Sequence, residues 1–199
     1  MNSESFIDFP LLTKSLSRRS SERIALRALS HCDMWPLWQA TRNEAFNRFL
    51  TWSQPDDEAE LQRRVDTLLT CAEQGRGSFL SVVIKDTGEW ASLFRFGPPT
   101  PELNKPRSVE AGIWTHPKFW AAGLSAEMSR LMLEGVFQHS EAESLVAQGE
   151  VSNKAVLRLF ETCGLAFSSH RKHRFEDGLE RDMAVYELTR EAWQAQREG

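Results

Sequence analysis

The chain is 199 residues long, which suits one compact domain. Hydrophobic residues make up 41% and charged residues 26%, enough apolar material to fill a core. The formal net charge of -4 argues against a broad nucleic-acid-binding face, which needs a basic surface.

The three cysteines, Cys32, Cys71 and Cys163, are odd in number and no pair has CxxC spacing. A disulfide framework or a zinc site is therefore not expected, and a reducing cytoplasm fits. Residues 1–16 carry Glu4 and Asp8 and no long apolar run, so they do not read as a signal peptide. No stretch reaches the ~20 apolar residues of a membrane span. The expected organisation is an N-terminal extension over 1–20, loosely held, followed by a single domain over 21–199.

In chain order, the alternation of Ile24, Leu26 and Ala28 with Arg23 and Arg27 predicts a strand over 22–29. Ser30 or Asp33 suits a helix cap, and Trp35, Trp38, Phe46, Phe49 and Trp52 recur at near-helical spacing over one or two short helices. Pro55, Asp56, Asp57 and Glu58 suit a first helical turn. That helix carries Leu61, Val65, Leu68 and Leu69 as its stripe and stops at Gly75. Residues 79–86 and 90–97 read as a hairpin around Asp86-Thr87-Gly88-Glu89. Four prolines in 97–106 exclude regular structure there. Then follow a strand (108–115), a helix (125–139), a strand (144–151), a helix (153–163) closed by Gly164, and two strands (165–175 and 183–189) around Asp177-Gly178. A strand–helix–strand crossover inside an otherwise antiparallel series implies an α/β fold: a mixed, mostly antiparallel sheet with helices on both faces.

The segment from Trp114 to Glu127 carries the chemistry. A strand ends at Thr115, a turn with Pro117 follows, and the small residues Ala121, Ala122 and Gly123 lead into a helix. Small residues let a ligand approach the backbone, and helix-start N–H groups suit an anion such as phosphate. A tight strand-to-helix connection with no ligand has the same pattern.

Trp120-Ala121-Ala122-Gly123-Leu124-Ser125 resembles the acyl-CoA pyrophosphate loop of the GNAT superfamily of N-acetyltransferases, Q/R-x-x-G-x-G/A. Phe119, Trp120, Gly123 and Glu127 match the form found in the branch that acetylates ribosomal-protein N-termini and related amines. Ala121 replaces that branch's first glycine and Ala122 its usual cation. Three further stretches agree in order: Val109 to Trp114, Asn153 to Leu165, and Arg181 to Leu188 with Glu191-Ala192-Trp193. The resemblance spans residues 22–193.

The resemblance implies a GNAT fold and an acyl-CoA-dependent N-acyltransferase, with acetyl-CoA as donor, no metal, and a protein N-terminus or small amine as acceptor. It implies pantetheine binding at Ile113, Trp114 and Thr115, where the strand splays from its neighbour. It places the pyrophosphate on Ala121, Ala122, Gly123, Leu124, Ser125 and Ala126, with Asn153 and Phe160 beside the arm. Lys118 or Arg130 would supply the cation missing at Ala122. Glu110 is the candidate base and Tyr186 the candidate proton donor, since the family's serine is Val156 here. Trp35, Trp38, Phe49 and Phe94 are the candidate acceptor pocket, although aromatics at helical spacing are more often core. The basic run His170-Arg171-Lys172-His173-Arg174 reads first as a solvated edge strand. Alternative functions are a catalytically weak CoA-binding or regulatory module, suggested by Ala121, Ala122 and Val156, and acetylation of an antibiotic, polyamine or aminoacyl-tRNA. Nucleic acid and membrane are not expected partners, and a monomer or homodimer is expected.

Overall fold

The structure, a computed structural model, describes residues 7–50, 53–120, 122–175 and 178–198. Trp52, Ala121 and Asp177, which carry expectations above, lie outside them.

Seven strands form one sheet in the order β1-β2-β3-β4-β5-β7-β6. They are β1 (Ile24–Ala28), β2 (Ser78–Ile84), β3 (Trp90–Gly97), β4 (Ser108–Thr115), β5 (Ser144–Glu150), β6 (Ala166–Arg174) and β7 (Glu180–Thr189). All neighbours are antiparallel except β4 and β5. The connection between those two is α5 (Leu124–His139), the crossover that parallel strands require. The remaining helices are α1 (Phe9–Leu16), α2 (Met34–Thr41), α3 (Glu44–Asn47), α4 (Glu58–Glu73), α6 (Lys154–Thr162) and α7 (Arg190–Glu198). Among the described residues, no helix is long and apolar enough to cross a membrane.

Successive strand side chains point to opposite faces, and each face has its own apolar cluster. Phe94, Phe96, Val109 and Ala147 pack with Leu12 and Leu16 of α1, Met128 and Met132 of α5, and Phe160 of α6. Leu93, Phe79 and Trp90 pack on the other face with Leu37 of α2, Phe46 of α3, and Leu61 and Val65 of α4. Asp33 is buried beneath α2. It accepts from Ser81 Oγ at 2.8 Å, from Arg27 Nη1 at 2.8 Å and from the Ser30 N–H at 3.0 Å. A buried carboxylate needs such partners; its proximity raises the pKa of the Arg27 guanidinium.

Two elements differ from expectation. Phe9–Leu16 is not a loose lead-in but a helix, capped by Asp8 Oδ1 accepting from the Leu11 N–H at 2.8 Å. Its Phe9, Leu12 and Leu16 are buried in the first cluster. Tertiary burial fixes a segment whose eight residues would not hold as an isolated helix. The residues after 189, for which no element was predicted, form α7, whose Trp193 ring stacks on Phe137 with centroids 5.1 Å apart. Arg190 donates to the carbonyls of Phe137, Ser140 and Ala142 at 2.7, 2.6 and 3.0 Å, so a cation sits at the C-terminal end of α5.

Candidate active site

β4 and β5 pair from Ser108↔Ser144 to Ala111↔Ala147 and no further. Residues 112–115 of β4 stay paired to β3, and residues 148–150 of β5 stay paired to β7. The sheet therefore parts at its middle. Strand edges that face a gap carry N–H and C=O groups that require partners.

An apolar cleft of about 420 Å³, part of it open to solvent, lies beside this gap under α5 and α6. Ala111, Gly112 and Ile113 form one wall, Ser129 and Met132 of α5 another, and Phe160 of α6 with Cys163 at its C-cap a third. Burial pushes the Cys163 thiol pKa up, with a contact to Ser129 opposing it. The thiol is therefore kept neutral.

The N-terminus of α5 stands at the end of the loop that leaves β4. Gly123 is its cap residue, with φ 65°, ψ 20° and no side-chain cap bond. A φ in this region suits glycine, and a Cβ placed there would meet nothing within 4 Å, so the space over the backbone is open. Ser125 and Ala126 are half-buried in the first helical turn, and Leu124 is buried. Ala122 is exposed. Lys118 pairs with Glu89 across the surface, so its charge is already engaged by an acid. Glu127 in the same turn accepts from Ser21 and from Arg23, and these contacts hold its carboxyl below the usual range.

Not all the expected β4 contacts are free. The Trp114 carbonyl accepts from Ser92 Oγ at 3.0 Å, and the Thr115 carbonyl accepts from Trp120 Nε1 at 2.8 Å. Ile113 lines the cleft. Asn153 caps α6, its Oδ1 accepting from the Val156 N–H at 3.3 Å, and Val156 packs its Cγ1 toward Gly149. Phe160 lines the cleft with its ring 5.5 Å from that of Tyr186.

Glu110 is buried on the sheet face opposite the cleft, one residue before the strands part. One carboxylate oxygen accepts from the Thr100 N–H at 2.9 Å and the other from Gln148 Nε2 at 2.6 Å. The proline-rich segment thus lies over this face, with a short 3-10 turn at Pro101–Leu103. Neither Gln148 nor the Thr100 backbone is expected from motif matching. Gln148 does leave one signal, as the only amide in the otherwise small and apolar run 144–149.

Tyr186 does not reach the cleft. Its ring is buried and its hydroxyl donates to Glu161 Oε1 at 3.0 Å on the outer side of α6. Desolvation and the Glu161 carboxylate raise its pKa. The four aromatic candidates are also not assembled. Phe94 lines the cleft on one face, while Trp38 packs with the second cluster and holds Arg42 at 3.7 Å over its ring. Trp35 is exposed, and Phe49 is half-buried beneath Arg48. The basic run lies on edge strand β6, where Lys172 pairs with Glu180 and Asp182 at 3.4 Å.

A mixed sheet that parts between parallel neighbours, with a glycine-led helix start at the mouth, defines the class of GNAT-type α/β domains. Residues 23–166 match the acetyltransferase (GNAT) domain family, and the chain belongs to that family. Solved structures that share the fold include three acetyltransferases. The ribosomal L7/L12 α-N-protein acetyltransferase RimL, in a disulfide-linked complex with coenzyme A, has TM-score 0.74 and 18% identity, covering 86% of this chain and 96% of that one. Spermidine N-acetyltransferase from Vibrio cholerae, with CoA and spermine, has TM-score 0.73 and 16% identity, covering 87% and 99%. A GNAT-family acetyltransferase from Bacillus anthracis has TM-score 0.73 and 17% identity, covering 86% and 98%. No curated protein matches the sequence.

Proposed function

We propose that this chain transfers an acetyl group from acetyl-CoA to a primary amine, either a protein N-terminus or a small amine. The observation that carries this reading is the alignment of the β4–β5 gap with the N-terminus of α5. The gap offers unpaired strand edges to the amides of a pantetheine arm. The helix start offers N–H groups to a diphosphate. RimL and the spermidine enzyme, which share the fold, are both bound to CoA.

In the proposed reaction the neutral amine nitrogen attacks the thioester carbonyl carbon. A C–N bond forms, the C–S bond breaks, and the thiolate leaves with the electron pair. A backbone N–H at the open end of β4 polarises the carbonyl oxygen. Glu110 takes the amine proton through water, held in place by Gln148 and the Thr100 N–H. An α-amino group, with a pKa near ~8, needs less help than a lysine near ~10.4. The leaving thiolate takes its proton from water, because Val156 has no hydroxyl and the Tyr186 hydroxyl is engaged by Glu161.

Calorimetry with acetyl-CoA, followed by CoA-thiol release from a panel of N-terminal peptides and polyamines, tests the reading. Binding together with turnover on one amine class is expected. Binding without turnover on any amine would leave a CoA-sensing module, and no binding would end the proposal.

A further inference from the structure

Residues 121–123 carry no side chain able to orient a neighbouring peptide plane, and residues 121–126 include no cation. Arg23, 100 positions earlier at the edge of β1, reaches them. Arg23 Nη1 donates to the Ala122 carbonyl at 3.2 Å and Nη2 to the Gly123 carbonyl at 3.2 Å. The same guanidinium donates through Nε to Glu127 Oε2 at 2.7 Å. Ser21 holds the other Glu127 oxygen. The arginine is thus fixed from two sides, by an acid in the first turn of α5 and by two consecutive carbonyls before it.

Resting on the acyl-CoA reading above, we infer that Arg23 is a positioning residue for the diphosphate loop. It sets the direction of the loop's N–H groups rather than touching the donor itself. In a planar trans peptide the C=O and the following N–H point in opposite directions. The Ala122 carbonyl shares its plane with the Gly123 N–H, and the Gly123 carbonyl shares its plane with the Leu124 N–H. Turning both carbonyls toward Arg23 turns both N–H groups away from it. Arg23 also offsets the Glu127 charge, which would otherwise oppose an anion at this helix start. A lone positive charge would supply the second effect. Only a two-pronged donor supplies the first, because guanidinium nitrogens are fixed in a fork and an ammonium is a single point.

The test compares wild type, Arg23→Ala and Arg23→Lys, with acetyl-CoA Kd by calorimetry, kcat at saturating donor, and the melting temperature without ligand. Arg23→Ala should weaken acetyl-CoA binding about tenfold while kcat stays within about twofold. Arg23→Lys should recover less than half of the loss on a logarithmic scale. Unchanged affinity in Arg23→Ala overturns the inference, as does full recovery by lysine, which would assign the effect to charge alone. An equal fall in kcat and affinity would also overturn it. If Arg23→Ala does not fold, Arg23→Lys alone decides, since wild-type affinity there excludes the clamp. Absence of acetyl-CoA binding in the wild type would sink the underlying function instead, and is read separately.

Discussion

Glu110 lies within β4 and His116 just after it, and each supports a prediction of its own. Glu110 is held by two neutral donors on the face away from the cleft. Its proposed role concerns the acceptor amine, so Glu110→Gln should lower kcat by about a hundredfold or more while the acetyl-CoA Kd holds. Steady-state rates and calorimetry check this, and an unchanged kcat removes Glu110 from the reaction. His116 is half-buried at the turn after β4, with Nδ1 accepting from the Lys118 N–H at 3.1 Å. Burial, aided by Lys118, lowers its pKa below 6.5. The unfolded chain therefore takes up this proton first as pH falls. Stability from the neutral ring is full above about 6.5 and is lost as pH drops through that value toward the folded pKa. Melting temperatures from pH about 7.5 to about 5.5 should fall more steeply in wild type than in His116→Asn, which keeps an acceptor but does not titrate. Equal slopes would contradict this. Glu110 was legible in the sequence as an acid on the strand over 108–115. Its donors were not, because Gln148 and Thr100 are brought to it by sheet register and by a proline-rich loop without periodicity.

At the scale of elements, strong periodicity and turn chemistry were readable. The glycine stop at Gly75 and the α5 crossover fall where pattern places them, whereas α4 begins only at Glu58, with Asp57 as its cap rather than in its first turn. Helix α1 was not readable, since eight residues with an early proline give too few turns to show a stripe. What holds it is contact: a Cβ on Gly135 of α5 would lie 2.0 Å from Leu16 Cδ2, so the two helices touch where α5 has no side chain. Gly135→Ala should therefore cost about 1–3 kcal/mol by overpacking, and Leu16→Ala about 2–5 kcal/mol by loss of burial and a cavity. Denaturant unfolding with unchanged m-values checks both; costs below about 0.5 kcal/mol would mean that α1 is not part of the cooperative unit. The aromatic residues at helical spacing show the opposite limit. Spacing placed Trp35, Trp38 and Phe49 on helices, yet Phe49 falls just past α3; side chains on a helix also do not declare which face of a sheet they will meet, and Phe94 stands across the sheet from Trp38.

Across the whole molecule, α5 is fastened by residues from both ends of the chain. Arg190 holds its C-terminal carbonyls, Arg23 and Ser21 hold its first turn, and Leu16 covers its middle. The open cleft and the helix start sit on this one element. A saturating donor that binds only the folded state should raise the melting temperature, adding about 2.7 kcal/mol at a hundred times Kd. No rise with acetyl-CoA would agree with a calorimetric blank and count against the proposed activity.

The short stretch between α1 and β1 includes Arg18, which is exposed, and Arg19, which pairs with Glu134 of α5 at 3.0 Å. Trypsin reaches such a bond only when the segment lifts from α5. Because α1 and the donor loop are both fastened to that helix, occupancy of the loop should be felt where α1 docks. Acetyl-CoA should slow the first tryptic nick after Arg18, and the nicked protein should bind acetyl-CoA more weakly than the intact chain. A nicking rate indifferent to acetyl-CoA would show that α5 transmits nothing between its middle and its start.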